Sequence, residues 1–225
     1  MDGVVPMAKM KQQRLRRFKS SWISKHSKED SLKWDTNSIT PGTLFMKQLH
    51  SSIEQMISTQ QKSSWIFSSS NEPGEGEHKI ISFWRNHTPQ GPYAIYGLDA
   101  DLIVLSLLGY ETCSLQHPIW LFREQIHKGK IQYNALGEEH FEWFSILHLR
   151  DWLSTPYQQQ PDLQHLFLLN YCFAMSILGN DFLPTSFSLR IRDDGHSELL
   201  HILYHCISTQ HSLIQPHSLQ LNSSS

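Results

Sequence analysis

The sequence lacks long apolar runs and a cysteine framework. No apolar stretch reaches the roughly 18 residues that a membrane-spanning helix needs, and the N-terminus has no apolar signal-peptide core. Its three cysteines, Cys113, Cys172 and Cys206, are far apart and include no CxxC pair, which favours buried thiols over disulfides or zinc ligands. These absences predict an intracellular protein, in the cytoplasm or the nucleus, with no membrane segment.

A large excess of one charge is lacking as well, because the formal net charge is only −2. The charges are nevertheless unevenly distributed along the chain. Residues 1–33 contain nine Lys and Arg against three acids, and most of the acids come later. This asymmetry predicts a basic arm that faces an acidic site.

Short acidic motifs are what the sequence does contain. Five carboxylates stand in Gly74-Glu75-Gly76-Glu77-His78-Lys79, Asp99-Ala100-Asp101 and Gly179-Asn180-Asp181. Carboxylates brought close together repel and raise one another's pKa, so such a cluster is costly unless a cation neutralises it. Oxygen ligands of this kind favour Mg²⁺ or Mn²⁺. The motifs predict a metal site, with a solvated acidic loop as the alternative for residues 74–79.

Helical and strand patterns alternate along the chain, which predicts an α/β fold with a mainly parallel sheet. The apolar segment 93–98 reads as a buried strand that carries Asp99 and Asp101 at its carboxyl end, where two acids at i and i+2 point the same way. Further strands are predicted at 64–67, 112–115, 119–122 and 142–147. Helices are predicted at 8–26, after Thr40-Pro41, at 75–85, from 102, at 162–178 and at 198–207.

The predicted domain covers residues 1–207. Its helix at 162–178 is apolar nearly all round, and Gly179 stops it so that Asp181 reaches the same acidic site. Residues 208–225 are rich in Ser, Gln and His and have little to bury, so a disordered tail is predicted there.

One face of the first predicted helix is basic. The residues at i, i+4, i+7 and i+8 on this face are Lys9, Gln13, Arg16 and Arg17. Arg engages a terminal phosphate through two parallel hydrogen bonds, so the face is suited to such a group. A plain solvated helix and a nuclear-import patch are the alternatives.

Six motifs in register resemble the N-terminal catalytic region of the Xrn family of 5′→3′ exoribonucleases, within the flap-endonuclease-like and PIN-like nucleases. They lie at residues 2–6, 8–17, 34–43, 73–79, 96–103 and 178–184, and read DGVVP, AKMKQQRLRR, WDTNSITPGT, PGEGEHK, YGLDADLI and LGNDFLP. Their order along the chain is the order in the family, and together they span nearly the whole sequence.

The resemblance implies a PIN-like nuclease fold and a 5′→3′ exoribonuclease that hydrolyses 5′-monophosphorylated, single-stranded RNA with two metal ions, Mg²⁺ or Mn²⁺. It implies that the metal-binding and catalytic residues are Asp2, Glu75, Glu77, Asp99, Asp101 and Asp181. It further implies that Lys9, Gln13, Arg16 and Arg17 bind the 5′-monophosphate and RNA. DNA remains an alternative substrate, because the wider nuclease group includes DNA flap enzymes.

The sequence also departs from the family pattern. Members of the family begin with a further strand and helix before the position of Asp2, so the N-terminal strands of the sheet are expected to be missing. Two alternatives to an autonomous enzyme follow. One is half of a split nuclease, in which a partner chain supplies those strands, and the other is an inactive relative that still binds RNA. Most tryptophans are expected in the core, and at most one of Trp22, Trp34, Trp84, Trp143 and Trp152 is expected to stack on RNA bases.

Overall fold

The structure, a computed structural model, describes residues 7–26, 34–40, 42–60, 65–87, 91–97, 99–113, 115–128, 130–179, 183, 186, 188–215 and 220–221. The chain divides into two compact units, Met1–Lys79 and Ile80–Ser225. Asp2 and Asp181 lie outside the described residues, as does the side chain of Lys9. No helix in the described ranges has the length and apolar character needed to cross a bilayer.

The first unit is helical. It contains α1 (Met7–His26), a 3₁₀ turn at Thr36–Ser38, α2 (Leu44–Thr59) and the start of α3 (Gly76–Asn86). The predicted helices at 8–26 and 75–85 are therefore confirmed. The N-cap of α2 is Thr43, whose hydroxyl accepts a hydrogen bond from the Met46 N–H at 3.3 Å and donates to the Ser38 carbonyl at 2.6 Å. The cap of that helix thus lies three residues after Thr40, the first residue of the predicted cap Thr40-Pro41.

The second unit contains a three-stranded sheet in the order β1-β2-β5, formed by β1 (Tyr93–Tyr96), β2 (Ile119–Glu124) and β5 (Phe141–Ser145). β1 and β2 are parallel, because α4 (Asp101–Thr112) carries the chain back between them, whereas β2 and β5 are antiparallel. The α/β class is confirmed. A mainly parallel sheet is not confirmed, since one of the two strand pairs in this sheet is antiparallel.

Short strands extend the β-structure. β3 (Ile126–His127) pairs with β4 (Lys130–Ile131), and β6 (Ile214–Gln215) pairs with β7 (Gln220–Leu221). The β3–β4 hairpin continues β2 and leads the chain back towards β5, which explains why β5 runs antiparallel to β2.

Two predicted strands are wrong. Thr112 ends α4, and Cys113 caps that helix through its N–H and the Gly109 carbonyl, so the segment 112–115 begins as a helix terminus. Residues 65–67 form no strand, although the segment is apolar.

Four helices cover one face of the sheet or pack on each other: α4, α5 (Ile146–Leu153), α6 (Pro161–Met175) and α7 (Gly195–Ser208). The core formed by these helices and the sheet includes the fully buried side chains of Leu107, Ile119, Ile146, Leu153, Phe167 and Leu168. The helix predicted at 162–178 is confirmed as α6 with a 3₁₀ extension at Ser176–Leu178, and Gly179, at φ +92°, ends it.

Asn170 ties the C-terminal residues of the described chain to α6. Its fully buried side chain donates to the Leu166 carbonyl at 2.7 Å and accepts from the Leu213 N–H at 2.7 Å. The neighbouring Ile214 is buried as well. Leu213 and Ile214 fall within the tail predicted at 208–225, and the domain boundary at 207 stays a prediction.

Candidate active site

Two of the predicted acids lie side by side in the first unit. Glu75 immediately precedes α3, and Glu77 stands in the first turn of that helix. Gly74 adopts φ +100°, a left-handed conformation that glycine tolerates best, and so turns the chain into the helix. The carboxylate oxygens of Glu75 and Glu77 and a ring nitrogen of His78 all lie within 4.8 Å of one another.

The electrostatics of this cluster show the repulsion between its acids. Burial raises the pKa of Glu77 above its ordinary value, and the hydrogen bond and negative charge of Glu75 raise it further. A hydrogen bond to the Glu77 backbone and the nearby His78 act in the opposite direction. The Glu77 carboxyl therefore retains a proton more readily than an isolated glutamate does.

The donor set fits a divalent cation. Two half-buried carboxylates and an imidazole supply oxygen and nitrogen ligands, and a cation would offset both the burial and the Glu75 charge that raise the pKa of Glu77. His78 is a potential ligand that the sequence analysis did not predict. Its position next to Glu77 in the motif was the one sequence feature that indicated it. The Lys79 side chain is directed elsewhere, because its Nζ donates to the Ser69 carbonyl at 2.7 Å.

The second pair of acids belongs to the second unit, at the carboxyl end of β1. Pairing of β1 ends where the Gly97 N–H donates to the Phe122 carbonyl at 3.1 Å. Asp99 is exposed, and its Oδ1 accepts a hydrogen bond of 3.4 Å from the Asp101 N–H. Asp101 is half-buried and begins α4, so the prediction of an extended pair at i and i+2 is wrong in geometry, although the two acids remain adjacent.

The positive end of α4 lies next to these two acids. A helix N-terminus carries unpaired N–H groups and a partial positive charge, which stabilise carboxylates in the first turn. The Leu102 N–H donates a hydrogen bond to the Asp99 carbonyl at 3.3 Å. This hydrogen bond connects the turn that carries Asp99 and Asp101 to the first residues of α4.

The predicted phosphate-binding residues lie on α1. Gln13 is half-buried, whereas Arg16 and Arg17 are exposed. Arg16 lines a shallow, mostly apolar groove of about 400 Å³ along this helix. The other residues of the groove are Leu15, Phe18, Lys19 and Trp22. The guanidinium groups of Arg16 and Arg17 are therefore accessible to an anionic ligand.

Comparison with known proteins identifies the family. Residues 1–124 match the family model described as XRN 5′-3′ exonuclease N-terminus, and this range includes both glutamates, both aspartates and the basic face of α1.

Curated relatives extend the similarity over most of the chain. A 5′-3′ exoribonuclease 2 of Aspergillus oryzae is 34% identical over an alignment of 269 positions, which covers 90% of this chain and 26% of the relative. The 5′-3′ exoribonuclease 1 of Saccharomyces cerevisiae is 33% identical, with 89% of this chain and 15% of the relative covered. The 5′-3′ exoribonuclease 2 of Schizosaccharomyces pombe is 32% identical, with 90% of this chain and 26% of the relative covered.

The chain thus spans about a quarter or less of the length of these relatives. The family model nevertheless covers more than half of the chain, so the protein belongs to the XRN 5′-3′ exonuclease N-terminus family.

Proposed function

We propose that this protein is a 5′→3′ exoribonuclease that hydrolyses single-stranded, 5′-monophosphorylated RNA with the help of two Mg²⁺ or Mn²⁺ ions. The observation that carries this function is the Glu75–Glu77 pair, in which two carboxylates lie within 4.8 Å and the pKa of Glu77 is raised. Relatives named as 5′-3′ exoribonucleases support the same reaction.

The metal ligands in this proposal are Glu75, Glu77, Asp99 and Asp101, together with Asp2 and Asp181, which lie outside the described residues. Divalent ions held by these carboxylates would lower the pKa of water and stabilise negative charge on the phosphodiester, so that no side-chain base would be required. The fold that carries them is PIN-like, with the parallel β1–β2 pair as part of its central sheet.

The basic face of α1 selects the end of the substrate. Arg16 and Arg17 bind the two negative charges of a 5′-monophosphate, with Lys9 and Gln13 on the same face. A terminal phosphate carries about two negative charges and an internal phosphate carries one, so this basic face would bind the terminal phosphate more tightly. Removal of one nucleotide at a time follows from this preference.

The test is a comparison of two RNAs of the same sequence, one with a 5′-monophosphate and one with a 5′-hydroxyl, in Mg²⁺ or in EDTA. We expect rapid shortening of the monophosphate RNA in Mg²⁺ only. Substitution of both arginines, Arg16→Ala with Arg17→Ala, should reduce the preference for the monophosphate by about tenfold or more, since hydrogen bonds to charged groups contribute about 1.5–3 kcal/mol each.

Arg123→Ala is a matched control, because this exposed arginine lies on β2 and pairs with Glu142 at 3.5 Å. It should leave the preference for the monophosphate unchanged. Equal rates on the two RNAs, or shortening that survives EDTA, would count against the proposed site.

A second candidate is a nuclease that needs a partner chain to complete its sheet. β1 lies at the edge of the sheet, and its Tyr93 and Gly97 N–H groups donate to carbonyls on the β2 side. Ala94 and Tyr96 therefore direct their backbone groups outward, where the described residues supply no strand. A nuclease that needs a partner chain should bind RNA but not shorten it when the chain is alone. An inactive RNA-binding relative should do the same. Addition of a chain that supplies the missing strands should restore hydrolysis only for the incomplete nuclease.

A further inference from the structure

The segment that leads into α3 is closed by a lysine of that helix. The half-buried Lys79 side chain reaches ten residues back along the chain, where its Nζ donates to the Ser69 carbonyl at 2.7 Å. The backbone N–H of Lys79 donates to the Glu75 carbonyl at 3.1 Å. One residue therefore holds both ends of the segment 69–75 against the first turn of α3, and all of these residues belong to the first unit.

Ser69 is the residue on which the hydrogen bonds of this segment converge. Its carbonyl also accepts from the Glu72 N–H at 3.1 Å, and its Oγ accepts from the Asn71 N–H at 3.2 Å. A carbonyl oxygen has two lone pairs and so accommodates both donors. The bond from the ammonium group of Lys79 is the stronger of the two, because its donor is charged.

The aliphatic part of Lys79 runs beside Gly74. A Cβ atom placed on Gly74 would lie 3.9 Å from Lys79 Cγ and 4.0 Å from Lys79 Cε. Glu75, the next residue, precedes the helix, so its position depends on the segment 69–75 as well as on α3. Glu77 is already part of the helix. The separation of the two carboxylates thus depends on how firmly that segment is held.

The charge of Lys79 is directed to Ser69 and away from the two glutamates. Among the described residues, the side chains that alter the pKa of Glu77 are Glu75, which raises it, and His78, which lowers it. The ammonium group is hydrogen-bonded to a neutral carbonyl instead. The negative charge of the glutamate pair therefore stays available for a cation.

We propose that Lys79 is a positioning residue for metal binding, which fastens the segment 69–75 to α3 and so holds Glu75 beside Glu77. This inference rests on the proposed function, from which it takes a divalent cation as the ligand. Lys79 itself contacts neither metal nor RNA in this role. Two other roles are open to a lysine next to acids, a counter-ion for the carboxylates and a ligand for phosphate, and each predicts a different result.

The first test is titration calorimetry of the full chain with Mn²⁺ at pH 7, without RNA. Lys79→Met keeps an apolar stem but removes the donor, and it should weaken Mn²⁺ binding by about tenfold or more, as expected when a group that orients metal ligands is lost. Lys79→Arg, which keeps a cationic donor, should retain most of the affinity. Lys47→Met is the matched control, because Lys47 is exposed and lies on α2 in the same unit.

The direction of the change separates positioning from charge. Removal of a counter-ion from beside two carboxylates would strengthen the binding of Mn²⁺, because one positive charge fewer repels the cation. Removal of a phosphate ligand would leave Mn²⁺ affinity unchanged and would weaken the binding of 5′-monophosphate RNA in EDTA. Only the positioning role predicts weaker binding of Mn²⁺.

Hydrogen exchange in EDTA tests the same contact without metal. In Lys79→Met the amides of Asn71, Glu72 and Lys79 should exchange about tenfold faster or more, as expected for the loss of a hydrogen bond to a charged group. The amides of α2 and α6 should exchange at the wild-type rate, which shows that the variant folds. Lys47→Met should leave all of these rates unchanged.

Three results would overturn the inference. They are unchanged or stronger Mn²⁺ binding by Lys79→Met, wild-type exchange in the segment 69–75 of that variant, and faster exchange throughout α2 and α6, which would make Lys79 a residue of overall stability. Hydrolysis is scored separately. Mn²⁺ binding that depends on Lys79 without any shortening of RNA refutes the nuclease proposal alone, whereas shortening of RNA with equal Mn²⁺ affinity of wild type and Lys79→Met refutes the positioning role alone.

Discussion

The pKa of Glu77, an acid of the candidate metal cluster, is raised above its ordinary value. Burial and the adjacent Glu75 carboxyl both favour its neutral form. In the absence of a cation, ionisation of Glu77 therefore costs stability as the pH rises through its raised pKa, and this cost is absent at lower pH. A bound cation reverses the balance, because it interacts with the ionised pair.

Metal affinity is accordingly expected to depend on pH. Protons compete with the cation for Glu77, so affinity for Mn²⁺ should be low near pH 4.5 and should increase as the pH rises above the raised pKa. Glu77→Gln should lower the affinity at pH 7 by about tenfold or more and should flatten the pH dependence. Titration calorimetry with Mn²⁺ at several pH values measures both effects.

Glu72→Gln provides the control for this residue, since Glu72 is exposed and bonds Ser68 outside the cluster. It should leave Mn²⁺ affinity unchanged. Affinity of wild-type protein that does not vary between pH 4.5 and 7 would contradict the role given to Glu77.

At the scale of single elements, α3 and α4 approach each other closely at Gly109. A Cβ atom placed on this glycine would lie 2.8 Å from two ring carbons of Trp84 and 2.9 Å from Ile81 Cδ1. Trp84 and Ile81 are both buried, so these neighbours have little room to move. The contact holds the part of α3 that carries Ile81 and Trp84, which belongs to the second unit, against α4.

Gly109→Ala should therefore destabilise the protein, by about 1–3 kcal/mol, even though alanine favours helix. Urea denaturation followed by circular dichroism gives the free energy of unfolding. Gly91→Ala is the matched control, because a Cβ there meets nothing within 4 Å, and it should be nearly neutral. Equal effects of the two substitutions would refute the close contact.

Sequence patterns predicted the helices and strands that are determined by residues within the segment itself. The apolar run at 93–98 predicts β1, and the apolar run at 162–178 with its stop at Gly179 predicts α6, without knowledge of their neighbours. The strand predicted at 112–115 failed because α4 continues past Gly109, where a tertiary contact with Trp84 compensates for the glycine. Likewise, the direction of β5 depends on the β3–β4 hairpin and is not encoded in the apolar pattern of β5 itself.

The same distinction holds for the candidate site. Glu75 and Glu77 are neighbours in the sequence, so a motif predicts their proximity. The contribution of His78 and the helical position of Asp101 depend on where α3 and α4 begin, and a motif alone does not fix a helix start to within one residue.

At the scale of the whole molecule, the second unit buries phenol groups in its core. Burial raises the pKa of Tyr171 to about 12, and it also raises the pKa of Tyr157 and of Tyr204. Their neutral forms are favoured in the folded state. The stability that they contribute is fully present below pH 10 and is lost as the pH rises through their raised pKa values.

The protein should therefore unfold cooperatively at alkaline pH. The free energy of unfolding should fall between pH 10 and 12, with about 2 kcal/mol of the loss due to Tyr171. Tyr171→Phe should lower stability at pH 8, where the hydrogen bond with His196 is lost, but should reduce the further loss above pH 10. Urea denaturation across this pH range measures the slope.

Tyr133→Phe serves as its control, because Tyr133 is exposed and lies outside the core. The free energy of unfolding of this variant should fall with pH above pH 10 as steeply as that of the wild type. A Tyr171→Phe slope as steep as that of the wild type would contradict the contribution assigned to buried Tyr171.

The proposed activity is 5′→3′ hydrolysis of RNA, with Asp99 and Asp101 among the proposed metal ligands. The most direct measurement is a time course on 5′-monophosphate RNA carrying a label at its 3′ end in one sample and at its 5′ nucleotide in another. Wild-type protein in Mg²⁺ should release the 5′ label at once as a mononucleotide while the 3′-labelled RNA shortens stepwise. Asp99→Asn with Asp101→Asn should bind the RNA and release nothing. Release of the 3′ label first, internal cuts, or undiminished hydrolysis by that variant would contradict the account.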